Sequence, residues 1–343
     1  MARLQADSEL ASESAPEAAQ EAPPTESEEA VAPKELLRLR TQGSYVVDEN
    51  FNAISLRGVT VAGLDTLAPA ANQSFTGALS LDDQNLSLLT NLWGVNLIRL
   101  PFQAATILSG NGSLSSDDIL AGLDETVAAV TTAMAYVLLA LEPPQSSGSP
   151  PAPDPNAFQA WSLLANRYQQ QPGVLYEVFS CPTPLAPNWL QTAATLVGTV
   201  RQQHPGSVIF LGSGNGGADL TGLPLRFPTG DPVFNIVYTI SVSSESPPNP
   251  DDGQLQALAA SYPVFASQWS DDSPDLGRSS IHVADLFDRY GIGWAAANWN
   301  SPPLLVSDSV NHDFTPTGWG LIAERAFKLP VKPLLKRLGG PVA

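Results

Sequence analysis

The chain has 343 residues, of which 43% are hydrophobic, and its formal net charge is −18, from 34 acidic and 16 basic residues. This length fits one large α/β barrel or two ordinary domains. The negative charge argues against a nucleic-acid partner, which needs a basic patch for the phosphates, and against adsorption to an anionic membrane.

The first 33 residues carry much of that charge. They contain eight acidic residues and one base, so they contribute −7 of the −18, and they have no aromatic residue. Such a segment cannot bury enough apolar surface to offset its ordering entropy. We therefore predict a disordered acidic tail at residues 1–40 and a folded domain at residues 41–343, and we expect any protein partner to bind through the tail.

No secretory signal is visible at the start of the chain, because a basic start and an apolar core of ~7–15 residues are both missing. We expect a cytoplasmic protein, or a secreted one whose true start is missing here. No apolar run reaches the ~18–20 residues needed to span a bilayer.

After the tail, Gly43–Asn52 predicts a short hairpin with its turn at 48–50. Most of the segments that follow are near-continuous apolar runs, as expected for parallel strands buried on both faces. Eight strands are predicted at 53–61, 95–101, 135–142, 174–180, 207–212, 235–242, 262–268 and 292–298. Six helices are predicted at 79–93, 115–132, 156–171, 187–204, 276–290 and 315–327.

Eight strands, most of them followed by a helix, indicate an α/β fold of the (β/α)8 TIM-barrel type. A doubly wound open sheet is the alternative, and it fits less well because eight units exceed its usual count. Functional side chains of such a barrel belong at the C-terminal ends of the strands. The residues at those ends are Arg99, Glu142, Ser180, Cys181, Ser241, Ser243, Gln268, Ala297, Asn298 and Trp299.

Several segments, each on the appropriate strand or helix, resemble glycoside hydrolase family 5, the cellulase-type retaining β-glycosidases. The matching segments are ISLRGVTVAG, WGVNLIRLPF, WSLLANRYQQQPGVLYEVF, VYTI, PVFASQW, YGIGWAA and TPTGWG, which lie between Ile54 and Gly320. The resemblance implies a TIM barrel and a saccharide ligand.

The same resemblance implies a catalytic pair of glutamates, and both are replaced. Its acid/base position is Cys181, in Ser-Cys-Pro instead of Asn-Glu-Pro, and its nucleophile position is Gln268, in Gln-Trp. Retaining hydrolysis needs two carboxyl groups roughly 5–5.5 Å apart. A glutamine cannot form the glycosyl ester, and a thiol is a weaker acid than a tuned carboxyl group. Of the family's inner residues, only Arg99 is kept.

These losses predict a catalytically inactive member that binds carbohydrate or serves as a scaffold. We expect substrate contacts from Arg99, Ser180, Ser241, Ser243, Trp269 and Trp299. Two alternatives stay open for some of these side chains: that Arg99 only braces the barrel mouth, and that the two tryptophans line the core. Glu177, within the fourth strand, is predicted to be a paired structural carboxylate.

The alternative function is an active O-glycosyl hydrolase with relocated carboxylates, for which Glu142 and Asp271 are the candidates. A structural protein assembled through its acidic tail is a third hypothesis. We expect no cofactor and no metal: one cysteine and three separated histidines give no metal-ligand pattern, and GSGNGG at 212–217 precedes no long helix.

Overall fold

Eight parallel strands close into a barrel in the computed structural model, which describes residues 35–143, 153–180, 189–243, 251–271 and 278–330. The predicted TIM barrel is confirmed. Its strands, in chain order and in order around the ring, are β3 (Arg57–Thr60), β4 (Leu97–Phe102), β5 (Tyr136–Leu141), β6 (Val174–Glu177), β7 (Ile209–Gly212), β8 (Ile236–Ser243), β9 (Val264–Ser270) and β10 (Gly293–Ala297). The last of these pairs with the first.

Helices surround the ring. They are α1 (Phe75–Ala78), α2 (Asp83–Ser87), α3 (Ala104–Ser109), α4 (Ser116–Thr132), α5 (Pro155–Arg167), α6 (Trp189–Gln203), α7 (Gly214–Gly217), α8 (Asp252–Ala259), α9 (Arg278–Tyr290) and α10 (Gly318–Lys328). None of the helices in the described ranges is both long and apolar enough to cross a membrane.

The longest helix, α4, illustrates how sequence sets a boundary. Ser115 and Asp118 form a capping box, in which each side chain accepts a hydrogen bond from the other residue's main-chain N–H. The cap satisfies N–H groups that have no partner within the helix. Ile119, Leu123 and Val130 then recur at helical spacing and are fully buried. The helix therefore begins where its cap predicts.

The hairpin before the barrel differs from the prediction. It consists of β1 (Arg40–Gln42) and β2 (Tyr45–Val47), and its turn contains Gly43, whose φ of 56° favours glycine. The predicted turn at 48–50 is a second reversal, in which Asp48 accepts hydrogen bonds from the main chain of Asn50 and Asn52. Leu39, just before this hairpin, is buried in a cluster with barrel residues such as Leu97.

Several further elements depart from the prediction. The helix expected at 79–93 begins only after Asp82, whose side chain caps α2, and it continues as a π-helical segment at Leu88–Trp93. Helices α3 and α8 were not predicted. Neither was the antiparallel pair β11 (Val306–Asp308) and β12 (Asp313–Pro316), which follows the last barrel strand.

The interior of the barrel changes character along its axis. Toward the N-terminal ends of the strands it is apolar, with Leu97, Phe210 and Phe265 in one buried cluster and the two phenylalanine rings edge to face, their centroids 5.1 Å apart. Toward the C-terminal ends it contains buried polar groups, including Arg99 and Glu177. The candidate site lies at this polar end.

Candidate functional site

A buried guanidinium organises the C-terminal end of the barrel. Arg99 on β4 is fully buried, and its Nε donates to Oε2 of Glu177 at 2.7 Å. Its Nη2 donates to Oε1 of Glu142 at 2.9 Å and to Oγ of Ser180 at 2.7 Å. The three partners lie on or directly after β5 and β6, so three adjacent strands bring this cluster together.

Electrostatics explain why the guanidinium tolerates full burial. Burial alone would lower the pKa of Arg99, but the carboxylates of Glu177 and Glu142 outweigh that effect and raise the pKa above its ordinary value. A buried charge is stable only when it is paired and hydrogen-bonded. With one cation and two carboxylates, the cluster has a net negative charge. The prediction that Glu177 is a paired carboxylate is confirmed.

The two carboxylates differ in access. Glu177 is fully buried, whereas the side chain of Glu142 is 28% exposed. Among the described residues, Nη1 of Arg99, Oε1 of Glu177 and Oγ1 of Thr60 are buried atoms that have no hydrogen-bond partner. Thr60 lies on β3 directly beside Arg99. The polar end of the barrel therefore retains unused hydrogen-bonding capacity.

Gln268 and Ser241 lie elsewhere around the same end. Gln268 is half-buried on β9, and the strand register pairs it with Ser241 on β8. Ser243 ends β8 opposite Ser270. Cys181 lies outside the described residues, directly after Ser180. The structure thus unites Arg99, Ser180 and Glu142 in one cluster, and Gln268 and Ser241 in a neighbouring pair.

The two tryptophans do not fit the predicted ligand contact. Trp269 is 1% exposed and packs edge to face against Trp294 and Trp319, with ring centroids 4.9 Å away in each case. It follows Gln268 on the same strand, and adjacent side chains of a strand point to opposite faces. Its ring therefore lies among the helices outside the ring of strands, with no face open to a ligand.

Trp299 is likewise part of the core. It is fully buried, and its Nε1 donates to Oδ1 of Asn85 at 2.9 Å and to the carbonyl of Ser80 at 3.1 Å. Its ring packs edge to face against Trp93 at 5.6 Å. These contacts use both its apolar faces and its only donor, so the substrate contact predicted for Trp299 is replaced by a structural role.

The two fallback carboxylates occupy different environments. Glu142 directly follows β5 and is held by Arg99, whereas Asp271 directly follows β9 and is 1% exposed. Strands β5 and β9 are four positions apart in the ring of eight, so the two residues lie on opposite sides of the barrel. Burial of Asp271 leaves its carboxyl group inaccessible to a ligand at the mouth.

One acidic residue near the cluster was missed by the sequence analysis. Asp65 follows β3, and its Oδ1 accepts hydrogen bonds from the main-chain N–H of Gln103 at 2.8 Å and from Oγ1 of Thr106 at 2.6 Å. Burial raises the pKa of Asp65, and the charge of Glu142 adds to that effect. The only feature of the sequence that could have identified Asp65 as a candidate is its position just after the first barrel strand.

The described residues contain no group of three or more His, Cys, Asp or Glu side chains arranged to hold a metal ion. His204 contacts Tyr176 and Arg38, while His312 contacts Asp82.

Residues 47–302 match the family model for cellulase, glycosyl hydrolase family 5. Among curated proteins, the endoglucanase MaCel5A of Microbulbifer sp. (strain ALW1) is 23% identical over 284 residues, which are 77% of this chain and 51% of the relative. Endoglucanase E-5 of Thermobifida fusca is 21% identical over 283 residues, 77% of this chain and 56% of the relative. The chain thus spans about half the length of these relatives.

Solved structures show the same fold. The β-glucanase SdGluc5_26A of Saccharophagus degradans in complex with cellotetraose is 20% identical, with a TM-score of 0.67 over 86% of this chain and 94% of that one. The catalytic domain of Thermobifida fusca endoglucanase Cel5A, also in complex with cellotetraose, is 17% identical, with a TM-score of 0.64 over 84% and 97% of the two chains.

Proposed function

Because the chain belongs to glycosyl hydrolase family 5, we propose that the C-terminal mouth of its barrel binds an oligosaccharide or polysaccharide without hydrolysing it. One observation carries this proposal. Glu142 is the partly exposed carboxylate in the Arg99 cluster, at the C-terminal mouth of the barrel, and it already forms an ion pair with Arg99. A carboxylate so paired, with an amide rather than a second carboxylate at position 268, lacks the partner that glycoside hydrolysis needs.

The chemistry of hydrolysis explains why one carboxylate is insufficient. A retaining glycosidase uses one carboxyl group as acid/base and a second as nucleophile, roughly 5–5.5 Å apart, and an inverting enzyme needs roughly 6.5–9.5 Å. Glu177 is too deeply buried to serve, since its side chain has no exposed surface. The positions that the family resemblance assigns to catalysis carry Cys181 and Gln268.

Saccharide binding needs hydrogen-bonding groups rather than a catalytic pair. Ser241 and Gln268, both partly exposed, supply a hydroxyl and an amide group at the mouth, and Glu142 supplies an acceptor for a sugar hydroxyl, whereas Ser180 is fully buried. Two family structures of the same fold are complexes with cellotetraose. These points support a saccharide as the ligand.

The test is reducing-sugar release from β-glucans, mannan and xylan, measured beside the double variant Cys181→Glu/Gln268→Glu. We expect the unaltered protein to release no reducing sugar but to bind at least one of the glycans. Release by the double variant would support a mouth that still admits the sugar. Clear turnover by the unaltered protein would overturn the proposal.

A second candidate function is hydrolysis by relocated carboxylates. It is favoured by Asp65, because burial and then the charge of Glu142 raise the pKa of its carboxyl group, and a carboxyl group with a raised pKa is suited to act as an acid. If the unaltered protein does hydrolyse a glycan, we expect Asp65→Asn and Glu142→Gln each to lower the rate of hydrolysis by at least about 100-fold. An unchanged rate in both variants would exclude it.

A further inference from the structure

The segments that follow the eight barrel strands have a one-sided charge. Within the described residues they contain nine acidic residues and one basic residue, Arg226. The described parts of these segments are residues 61–74, 103–115, 142–143, 153–154, 178–180, 213–235, 251, 271 and 298–317. In a parallel barrel all of them start at the same end, so this imbalance belongs to the end that contains the candidate site.

The side chains around Arg99, at the centre of the mouth, also include more carboxylates than cations. Arg99 is the cation of the cluster, and it is shared between the carboxylates of Glu177 and Glu142. Glu142 also lines a small cleft of about 50 Å³ together with Asp154, whose carboxylate caps α5. Asp65 lies close enough to Glu142 for their charges to interact. Two carboxylates therefore pair with the guanidinium, and two further acidic side chains lie near Glu142.

A second observation points to a ligand rather than to a merely solvated acidic surface. Arg99 and Glu177 are both fully buried, yet Nη1 of Arg99 and Oε1 of Glu177 have no hydrogen-bond partner among the described residues. Leaving such atoms unpaired in a protein interior is unfavourable. Both atoms belong to the cluster whose partly exposed member is Glu142, so a ligand that binds at Glu142 binds to a cluster with unused hydrogen-bonding capacity.

The charge of the mouth discriminates between classes of sugar. A uronic acid would place a third carboxylate beside Glu142 and Glu177, and like charges at short range repel. A neutral sugar offers hydroxyl groups only. An ammonium group offers three donors and a positive charge, which complements an excess of carboxylate oxygens.

We propose that the acidic mouth around Glu142 selects a saccharide built of amino sugars with free ammonium groups over a neutral or acidic saccharide. This inference rests on the proposed function, since it specifies the ligand of the same site. The ammonium group pairs with the partly exposed carboxylate of Glu142, while the sugar hydroxyls use the uncharged groups of the mouth.

Calorimetric titration with three tetrasaccharides of equal length tests the proposal: the β-1,4-linked glucosamine tetramer, its fully N-acetylated form and cellotetraose. The two glucosamine compounds differ in charge but share a backbone, so they isolate the ammonium group. At a pH that keeps the amines protonated, we expect the free-amine tetramer to bind about tenfold more tightly than either neutral compound, and to lose that advantage in high salt.

Two variants make the test specific to the site. Glu142→Gln keeps an acceptor for Arg99 and removes the charge, and we expect it to abolish most of the preference for the free amine. Glu49→Gln, an exposed carboxylate beside the hairpin, is the matched control and should leave the preference unchanged. Equal binding of all three compounds, or a preference that survives Glu142→Gln, would overturn this inference alone. If none of the three compounds binds, the proposed function itself fails.

Discussion

At its C-terminal end the barrel buries a guanidinium between two carboxylates, whereas at its N-terminal end Arg57 donates to main-chain carbonyls. Nη1 of Arg57 contacts the carbonyl of Leu329 at 2.6 Å and those of Ala326 and Phe327 at 3.3 Å. These carbonyls belong to the last turn of α10 and to the residue after it, where main-chain acceptors have few partners within the helix.

The difference shows what each end is built to do. At the N-terminal end an arginine completes a helix terminus, and the hairpin and apolar side chains cover the strands. At the C-terminal end a buried ion cluster remains negatively charged and keeps unpaired atoms. The C-terminal cluster also contains a partly exposed carboxylate, Glu142, so this end is the one suited to a ligand.

The largest expected effect is at Arg99. Arg99→Met leaves Glu177 as an uncompensated buried charge, and breaking a buried pair in this way costs about 3–5 kcal/mol in the free energy of unfolding. Urea denaturation measures it. The double variant Arg99→Met/Glu177→Met should recover a large part of the loss, because it removes both charges. A double variant less stable than the single one would contradict this account of the mouth.

The next effect is a pH dependence at the N-terminal end. Burial, reinforced by the charge of Arg38, lowers the pKa of His204 to about 4. The imidazole accepts from Arg38 through Nε2 at 2.5 Å, so the proton of its neutral form lies on Nδ1, beside the hydroxyl of Tyr176 at 3.1 Å.

The unfolded chain binds a proton at His204 near pH 6.5, and the folded chain does so only near pH 4. The free energy of unfolding should therefore fall as the pH drops from about 6.5 to about 4, by up to about 3 kcal/mol from this group. Chemical denaturation across this range, compared with His204→Gln, isolates the contribution. Identical pH profiles for the two proteins would show that the imidazole is not held neutral.

Arg57→Met should have a smaller effect than Arg99→Met. It removes the donor to three carbonyls but leaves no buried charge, and unsatisfied carbonyls cost about 1–3 kcal/mol. Thermal or urea unfolding checks the ranking. A loss equal to that of Arg99→Met would erase the distinction drawn between the two ends.

The smallest effect is expected at the surface. Lys328 and Glu324 form an ion pair one helical turn apart on α10, with Nζ and Oε1 at 2.6 Å. Exposed pairs of this kind contribute about 0.3–0.5 kcal/mol, so Lys328→Ala should change stability by no more than that. The effect should also vanish in high salt. A salt-independent loss above about 1 kcal/mol would indicate a structural role for Lys328.

The barrel itself was predictable because its strands are continuous apolar runs separated by helices. All eight strands lie within or beside the predicted ranges. The position of Arg99 at the mouth was also predictable, since strand ends converge there. The partners of Arg99 could not be predicted, because its contacts with Glu142, Glu177 and Ser180 depend on the register of three strands that are distant in sequence.

Which face a side chain occupies was the least predictable feature. Trp269 directly follows Gln268, and the register of β8 and β9 shifts between Ile240 and Ser241, just before this point. Such an irregularity decides which of two neighbours faces the barrel axis. The buried position of Trp299 was equally hard to predict from the sequence, because its hydrogen-bond partners lie more than 200 residues earlier in the chain.

The central claim is that the mouth binds a saccharide and leaves it intact, and one nuclear magnetic resonance experiment reports both properties. Saturation-transfer difference spectra of the glucosamine tetramer and of cellotetraose, recorded with the unaltered protein, detect binding, while the anomeric signals of the same samples detect cleavage over time. The account predicts saturation transfer to the glucosamine tetramer at least, with unchanged anomeric signals for both compounds. New reducing-end signals, or no transfer to either compound, would contradict it.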